Sequence, residues 1–509
     1  MLVDTPSQLQ TALTQARMLG KTIGLVPTMG ALHQGHSSLI QQAVNQCDFV
    51  VVSIFVNPLQ FAPQEDLDSY PRTIETDVKL CQELGASLVF APTTETIGMV
   101  GSTHSQTETT TVVPPASMTS VMCGKYRGGH FTGVATIVLK LFNLVCPNRA
   151  YFGQKDWQQL AIIRRLARDL NLTTEIIGCP IVREASGLAL SSRNQYLDPN
   201  QKAAAATIYQ SLSQAAIAFR EGTKDNKTLI QTVTDSLNSV PEIKTQYVAL
   251  VHPDTLQPLE KVKATGLLAV AAYLGTTRLI DNMLLRQPII AIDGPAGAGK
   301  SSVTRRVAQE LNLLYLDTGA MYRAVTWLVM NSGIEVEDSE AVAKIVKGIQ
   351  VELIPPTNPD LPLEVRVNGT EVTQAIRTPE VTANVSTVAA QAAVRAELVT
   401  IQKSYGKQGG IIAEGRDIGT NVFPDAELKI FLTATPGERA RRRKRDLESQ
   451  GYKDIDVSQL EQEIIERDRQ DSTRAIAPLK KADDAVEIVT DSLTIEEVIA
   501  RIVDLYGYL

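Results

Sequence analysis

Cysteine is scarce in this 509-residue chain: the five present, Cys47, Cys81, Cys123, Cys146 and Cys179, are odd in number and form no CxxC pair. That argues against a disulfide framework and fits a reducing compartment. Long apolar runs are also missing, none approaching the roughly 20 residues that span a bilayer. The opening MLVDTPSQLQTALTQARMLG, with its early Asp4, does not read as a signal peptide. A cytoplasmic chain with no membrane partner is expected. There is no excess of positive charge, the formal net charge being −7, which argues against general nucleic-acid affinity. With 44% hydrophobic and 21% charged residues, disordered and fibrous classes are excluded. The length predicts three or four compact units of ~100 to 200 residues.

Residues 289 to 301 read IIAIDGPAGAGKS, an apolar strand running into GxxxxGK[ST]. Gly294, Gly297 and Gly299 permit backbone conformations that aim successive N–H groups at an anion, with Pro295, Ala296 and Ala298 between them. Lys300 supplies charge for the β and γ phosphates and Ser301 a hydroxyl for Mg²⁺, and all of Gly294 to Ser302 are expected ATP contacts. This phosphate-binding loop begins some 290 residues into the chain, after room for a complete first enzyme. The chain reads as two enzymes in one polypeptide.

In the first half, Lys21 to Pro27 and Phe49 to Val56 are β-branched runs flanking a helical segment from about His36 to Gln46, a pattern for a parallel sheet. PTMGALHQGH occupies the turn between the first strand and that helix, where α/β sheets place phosphate chemistry. His33 and His36, two of five histidines, flank Gly35 and could stabilise charge developing on a phosphate. A zinc pair is the competing chemistry, but no Cys or third His lies at ligand spacing.

Five motifs in order, PTMGALHQGH, SIFVNPLQF (53 to 61), CGKYRGGHF (123 to 131), RAYFGQKDWQQL (149 to 160) and GLALSSRN (187 to 194), resemble pantoate–β-alanine ligase (pantothenate synthetase) over about residues 1 to 280. The resemblance implies a Rossmann-like HxGH nucleotidyltransferase fold (about 1 to 184) with a small α+β C-terminal subdomain (185 to 280), commonly dimeric. The implied reaction joins pantoate to β-alanine through a pantoyl adenylate, releasing diphosphate and then AMP. The implied ATP contacts are Met29, Gly30, Ala31, Leu32, His33, Gln34, Gly35 and His36, then Gly153, Gln154, Lys155 and Asp156, Val182, and Leu190, Ser191, Ser192 and Arg193. His36, His33, Lys155 and Arg193 would be catalytic, with His36 the proton donor, while Gln60, Gln159 and Asn57 would hold pantoate or β-alanine. A neutral amide suits a hydroxy acid, since it donates to carboxylate and accepts from hydroxyl. Asp77 is a candidate Mg²⁺ ligand. Two departures stand out: Gly128 replaces the family's usual proline, and the Thr-rich stretch 93 to 111 diverges, which predicts a mobile surface loop.

After the phosphate loop, YLDTGAMYR (315 to 323), RTPEVTANVSTVAAQAAVR (377 to 395), IIAEGRDIGTNVFPDAELKIFL (411 to 432) and RDRQDSTRAIAPL (467 to 479) resemble bacterial cytidylate kinase over about 286 to 509. This implies a P-loop nucleoside monophosphate kinase fold transferring phosphoryl from ATP to CMP or dCMP, with no prosthetic group beyond Mg²⁺ carried by ATP. Lys300 and Arg416 would be catalytic. Arg323, Arg416 and Arg474 would grip the acceptor phosphate, Ser386, Arg395 and Asp417 read cytosine, and Arg467 and Asp471 hold the sugar. Alternating residues around Asn368-Gly369 predict a hairpin in a β insertion, within a nucleotide-binding segment at about 350 to 387. The basic run ERARRRKRD (438 to 446) would open a lid at 437 to 470, its arginines approaching phosphate.

The join TTRLIDNMLLRQ (276 to 287) contains no Gly/Ser- or Pro-rich spacer, so the two enzymes are expected to abut. A regulatory half without turnover, or an aminoacyl-tRNA-synthetase-like first half, are the alternatives. Intact His33, His36, Lys155, Lys300 and Arg416 speak against the first, and the absence of a basic tail against the second.

Overall fold

The computed structural model describes residues 1–61, 67, 70–98, 109–354, 363–449, 455–474, 476–507 and 509. Parts of three expected segments, 99–108 of the Thr-rich stretch, 355–362 of the β insertion and 450–454 of the lid, lie outside the described residues. The chain divides into two compact units, Met1–Leu285 and Arg286–Leu509, rather than three or four.

The first unit is built on a six-stranded parallel sheet of β1 (Leu2–Val3), β2 (Ile23–Thr28), β3 (Phe49–Ile54), β4 (Leu88–Phe90), β5 (Arg149–Gly153) and β6 (Glu175–Cys179) in the order β1-β4-β3-β2-β5-β6. Helices cover both faces, so β2 and β3 are buried nearly throughout and read as continuous apolar runs. From β2 the chain passes to β3 on one side, while β5 lies on the other. The crevice beyond the carboxyl ends of β2 and β5 is therefore the topological switch point, where α/β sheets bind ligands.

An antiparallel sheet follows, of β7 (Ile243–Val251), β8 (Gly266–Leu274) and β9 (Thr277–Leu285). Alternation along β8 gives it two apolar faces: Leu267 and Ala269 join the core of the parallel sheet, whereas Leu268, Val270, Ala272 and Leu274 pack with helices Pro199–Arg220 and Asn226–Asn238. One sheet thus belongs to both cores, which is why the subdomain is not a separate unit. The first helix starts with a capping box between Asp198 and Gln201 and Pro199 in its first turn. The stretch expected as the join is instead largely β9, which runs past residue 280 because β8 needs a partner on its second edge. No spacer intervenes before the next strand, β10 (Gln287–Asp293).

The second unit centres on β10 in a parallel sheet with β11 (Leu314–Asp317), β15 (Gly409–Gly415), β16 (Leu428–Thr433) and β17 (Val486–Val489), in the order β11-β15-β10-β16-β17. Between them β12 (Val351–Ile354), β13 (Glu364–Val367) and β14 (Thr370–Glu371) form the small antiparallel sheet, turning at Asn368 and Gly369 with φ of 49° and 81°. Positive φ at both positions is the type I′ signature of Asn-Gly. Val351, Leu353, Val365 and Val367 share one core with the main sheet. No helix among the described residues is long and apolar enough to cross a membrane.

Candidate active sites

Beyond β2, Gly30 turns at φ +84°, where an added Cβ would lie 3.1 Å from Asp77 Oδ2 and 3.2 Å from Ile54. Ala31 also takes a left-handed φ, 51°. That turn is fastened from beneath: Asp77, 2% exposed, accepts from Ala31 N–H and Leu32 N–H, each at 2.9 Å, and from Thr73 Oγ1 at 3.2 Å. Both carboxylate oxygens are thus engaged by the loop and Asp77 does not line the cavity, which corrects its expected role as a Mg²⁺ ligand.

His33 caps the helix Gln34–Gln46, its Nδ1 accepting from Gly35 N–H at 3.1 Å, while His36 Nδ1 accepts from His33 N–H at 3.4 Å. With each Nδ1 an acceptor, each ring carries its proton on Nε2. The rings lie 4.2 Å apart. Burial, then Lys155, depresses His33 to about 4; burial, then His33 and Lys155, depresses His36 to about 3. Both are neutral N–H donors at pH 7, so the proton-donor role expected of His36 reduces to hydrogen-bond donation here.

Lys155 follows β5 in a turn held by Asn282, whose Nδ2 donates to Gln154 O (3.0 Å) and Lys155 O (2.9 Å). Burial lowers the Lys155 pKa, with Asp281 and Asp156 pulling the other way. Asp156 caps the next helix by accepting from Gln159 N–H at 3.3 Å. Leu190 N–H donates to Val182 O, and Ser191 Oγ accepts from Arg193 N–H at 3.3 Å. Arg183, pinned bidentately to Asp281 at 2.6 and 3.0 Å, anchors this arm.

These elements enclose a cavity of about 750 Å³. Its walls include Met29, His33, Gly35, His36, Gly153, Lys155, Asp156, Gln159, Val182, Leu190, Ser191, Ser192 and Arg193. Gly30, Ala31, Leu32, Gln34, Gln154, Gln60 and Asn57 are not in the wall. Asn57, 1% exposed, has its amide occupied by Gly133 O (3.0 Å) and Leu59 N–H (3.2 Å), so it fixes the short helix Pro58–Gln60 instead of facing substrate. Gln60 is buried behind it, its carbonyl accepting from Arg127. Gly128 is open, with nothing within 4 Å of an added Cβ.

In the second unit Gly294, Gly297 and Gly299 have φ of 148°, 77° and 87°. The loop they shape joins β10 to helix Lys300–Glu310, with Ser301 and Ser302 exposed in its first turn. An added Cβ at Gly294 would sit 1.9 Å from Leu432 O, so only glycine fits. Lys300 Nζ donates to Gly294 O (2.7 Å) and Pro295 O (2.8 Å), and burial, with the Arg416 charge adding, lowers its pKa. Asp293 accepts from Ile418 N–H (2.8 Å) and Gly419 N–H (2.7 Å), tying the phosphate loop's strand to the turn after Arg416 and Asp417.

The expected acceptor-site residues form linked clusters. Asp417 pairs with Arg395 and, at 3.4 Å, with Arg474; Arg416 pairs with Asp471 at 3.0 Å; Arg323 with Asp317 at 3.5 Å. Ser386 and Arg467 line a separate groove with Thr382, Thr387, Glu466 and Gln470. The basic run is less available than expected. Arg439, 3% exposed, is committed to Asp468 and to the carbonyls of Ala296 and Ala434, Arg442 to Thr490 and Glu438, and Arg441 and Arg445 to Glu438. Arg439 therefore ties the helix Pro436–Ser449 to the phosphate loop.

A pantoate–β-alanine ligase family model matches residues 1–284, more than half of the chain, and a cytidylate kinase model matches 290–507. The bifunctional pantoate ligase/cytidylate kinase of Synechocystis sp. is 57% identical over 507 residues, covering 99% of this chain and 98% of its own. That of Trichormus variabilis is 57% identical over 486 residues, covering 95% and 91%. This chain belongs to the bifunctional pantoate ligase/cytidylate kinase family. Pantothenate synthetase from Thermus thermophilus is similar to the first unit, with a TM-score of 0.52 and 42% identity over 55% of this chain and 98% of its own. The protein is thus a bifunctional, ATP-using enzyme, and a half without turnover is not favoured.

Within this family frame, motif reading missed three groups. Glu414, buried at the end of β15, bonds Tyr315 and lies against Lys300 and Ser301. An acid ending the apolar run IIAEG was its signal. Asp293 had a similar one. Tyr273, Thr276, Thr277 and Arg278 line the ligase cavity from the hairpin at β9 and had none, because that segment reads as a join.

Proposed function

We propose that the first unit condenses pantoate and β-alanine at the cavity between β2 and β5. The observation that carries this is the convergence of His33, His36, Lys155 and Arg193 on one cavity with Gln159. A pantoate carboxylate oxygen attacks the α-phosphorus of ATP, the α–β P–O bond breaks, and diphosphate leaves. Two neutral Nε2–H groups and a lysine ammonium stabilise charge developing on the phosphate oxygens. The β-alanine amine then attacks the acyl carbon and AMP departs, the amine losing one proton. Residues 1–184 and 185–280 supply the two sides, and a homodimer through this half follows from the family resemblance.

The second unit transfers the γ-phosphoryl group of ATP to CMP or dCMP. The acceptor phosphate is already an anion, so orientation and charge neutralisation suffice and no base is needed. Arg323, Arg416 and Arg474 hold that phosphate, and Arg467 with Asp471 the sugar. Asp417 Oδ1, held among the described residues only by the 3.4 Å contact with Arg474, retains capacity to accept from the cytosine amino group, with Arg395 on its other oxygen and Ser386 as a further reader of the base. The segment 350–387 closes on the monophosphate and 437–470 acts as lid. The Ser301 hydroxyl next to the buried Glu414 is a hard-oxygen donor set that suits Mg²⁺. When bound with ATP, Mg²⁺ supplies charge neutralisation at the β and γ phosphates. Both activities fit a cytoplasmic protein.

Chromatography of nucleotide products from the full-length protein with Mg-ATP tests both halves. AMP formation requiring pantoate and β-alanine together, and ADP plus CDP formation requiring CMP, are expected. Lys300→Ala should abolish CDP while leaving AMP. CDP formation that survives Lys300→Ala, or AMP formation independent of pantoate, would overturn the assignment of that half.

A further inference from the structure

The ligase cavity contains a cation to which none of the roles above falls. Arg278 lines the wall from β9, half-buried, with Nε donating to Gln246 Oε1 at 2.9 Å and Nη2 to Cys123 Sγ at 3.3 Å. These partners are an amide oxygen and a thiol sulfur, and Arg278 makes no ion pair with a carboxylate among the described residues. Two other arginines differ: Arg183 is bound bidentately to Asp281, and Arg286 to Asp425 and Glu427. A guanidinium fixed in a cavity wall by groups other than carboxylates presents an uncompensated positive charge with fork geometry suited to carboxylate.

Its position relative to the phosphate chemistry is set by the strand. Arg278, Ile280 and Asn282 share one face of β9, and Asn282 holds the carbonyls of Gln154 and Lys155. Four residues of strand place the Arg278 backbone about 13 Å from that end. The triphosphate has its own donors in His33, His36, Lys155 and Arg193. A further cation on the same cavity wall, held by Gln246 and Cys123 and bonded to none of those donors, suits a zwitterionic amine substrate, whose carboxylate must be held while its amine reaches the acyl carbon.

We propose that Arg278 binds the carboxylate of the amine substrate and thereby selects an amino acid over a simple amine. This rests on the ligase assignment of the first unit. The test compares full-length wild type with Arg278→Gln and Arg278→Lys in three measurements: pantoate-dependent ATP–diphosphate exchange, AMP formation against β-alanine concentration, and AMP formation with 3-aminopropanol, which lacks the carboxylate. In Arg278→Gln, exchange is expected within twofold of wild type and KM for β-alanine raised on the order of 30-fold or more with kcat near wild type. Arg278→Lys falls between, and the preference for β-alanine over 3-aminopropanol collapses in the glutamine variant only. An unchanged KM for β-alanine overturns the proposal, as does loss of exchange, which would assign Arg278 to the phosphates. Equal loss with both amines also overturns it, since that is the signature of damaged packing at Cys123 and Gln246. Wild type lacking pantoate-dependent exchange would instead bring down the ligase assignment itself.

Discussion

Asp77→Asn removes the fastening under the turn at Ala31 and Leu32, proposed to contact ATP, while keeping the side chain's size. In wild type the two oxygens accept from Ala31 N–H and Leu32 N–H at 2.9 Å each. Asparagine keeps one acceptor and turns an NH₂ group toward the other N–H, leaving a buried donor unsatisfied at a cost of roughly 1–3 kcal/mol. The left-handed conformation of Ala31, which costs about 1–2 kcal/mol for a residue with a Cβ, then loses half its restraint. If the loop's loss of order is felt in ATP binding, KM for ATP should rise about 5- to 150-fold at 1.4 kcal/mol per decade, with KM for pantoate little changed. The assay is pantoate-dependent ATP–diphosphate exchange across ATP concentrations, repeated at several Mg²⁺ concentrations. A loop fastening is indifferent to excess Mg²⁺, whereas a lost metal ligand is rescued by it. A wild-type KM for ATP in the variant, or recovery at high Mg²⁺, would refute the reasoning.

The other predictions concern pH and the phosphate loop. His33 and His36 have folded pKa values depressed to about 4 and 3 from 6.5, so the stability linked to their neutral forms is intact above pH 6.5 and lost as pH falls toward 3. The ligase transition in calorimetry should therefore drop over that window, and His36→Gln should flatten the drop; identical slopes would count against it. Asp293 has the opposite sign. Burial, with Asp417 adding, pushes it up to about 6 against its two backbone donors, so its contribution is full below about pH 4 and lost as pH rises through 6. Asp293→Asn should remove that slope from the kinase transition alone. Gly294→Ala forces a Cβ to 1.9 Å from Leu432 O, so an overpacking cost of ~3 kcal/mol should lower the kinase transition by about 6 to 12 °C and leave the ligase transition in place.

What could be read from residues alone divides along physical lines. The phosphate loop, the HxGH turn and the Asn368-Gly369 hairpin are local: their chemistry and backbone demands sit within a few consecutive residues, so motif and structure agree. Asp198 likewise announces its helix through a capping box. Residues whose partners are distant in sequence were less legible. Asn57 and Asp77 are polar residues close to motifs and read as ligands, yet their hydrogen-bonding capacity is used by Gly133, Leu59, Ala31 and Leu32. Arg439 read as a phosphate-facing cation because Asp468, its partner, lies 29 residues on. The strand β9 was hidden for a related reason: its pairing with β8 is local, but its cavity face acquires meaning only where Asn282 meets the turn at Lys155.

Both nucleotide loops show the same solution to one mechanical problem. A loop that offers backbone N–H groups to phosphate cannot also satisfy itself through regular pairing, so something outside must hold its shape. In the ligase the holder is Asp77, from the helix Ile74–Glu83, gripping Ala31 and Leu32. In the kinase the holder is Asp293 at the end of β10, gripping Ile418 and Gly419 beyond Arg416 and Asp417. A carboxylate is suited to both because its two oxygens accept from two successive N–H groups at once, a pairing that an amide or hydroxyl cannot match. The kinase arrangement carries a consequence the ligase one lacks. Asp293 immediately precedes Gly294, so the residue that holds the turn after Asp417 is covalently joined to the glycine-rich loop. A displacement of either loop therefore bears on the other through the two hydrogen bonds of one buried side chain.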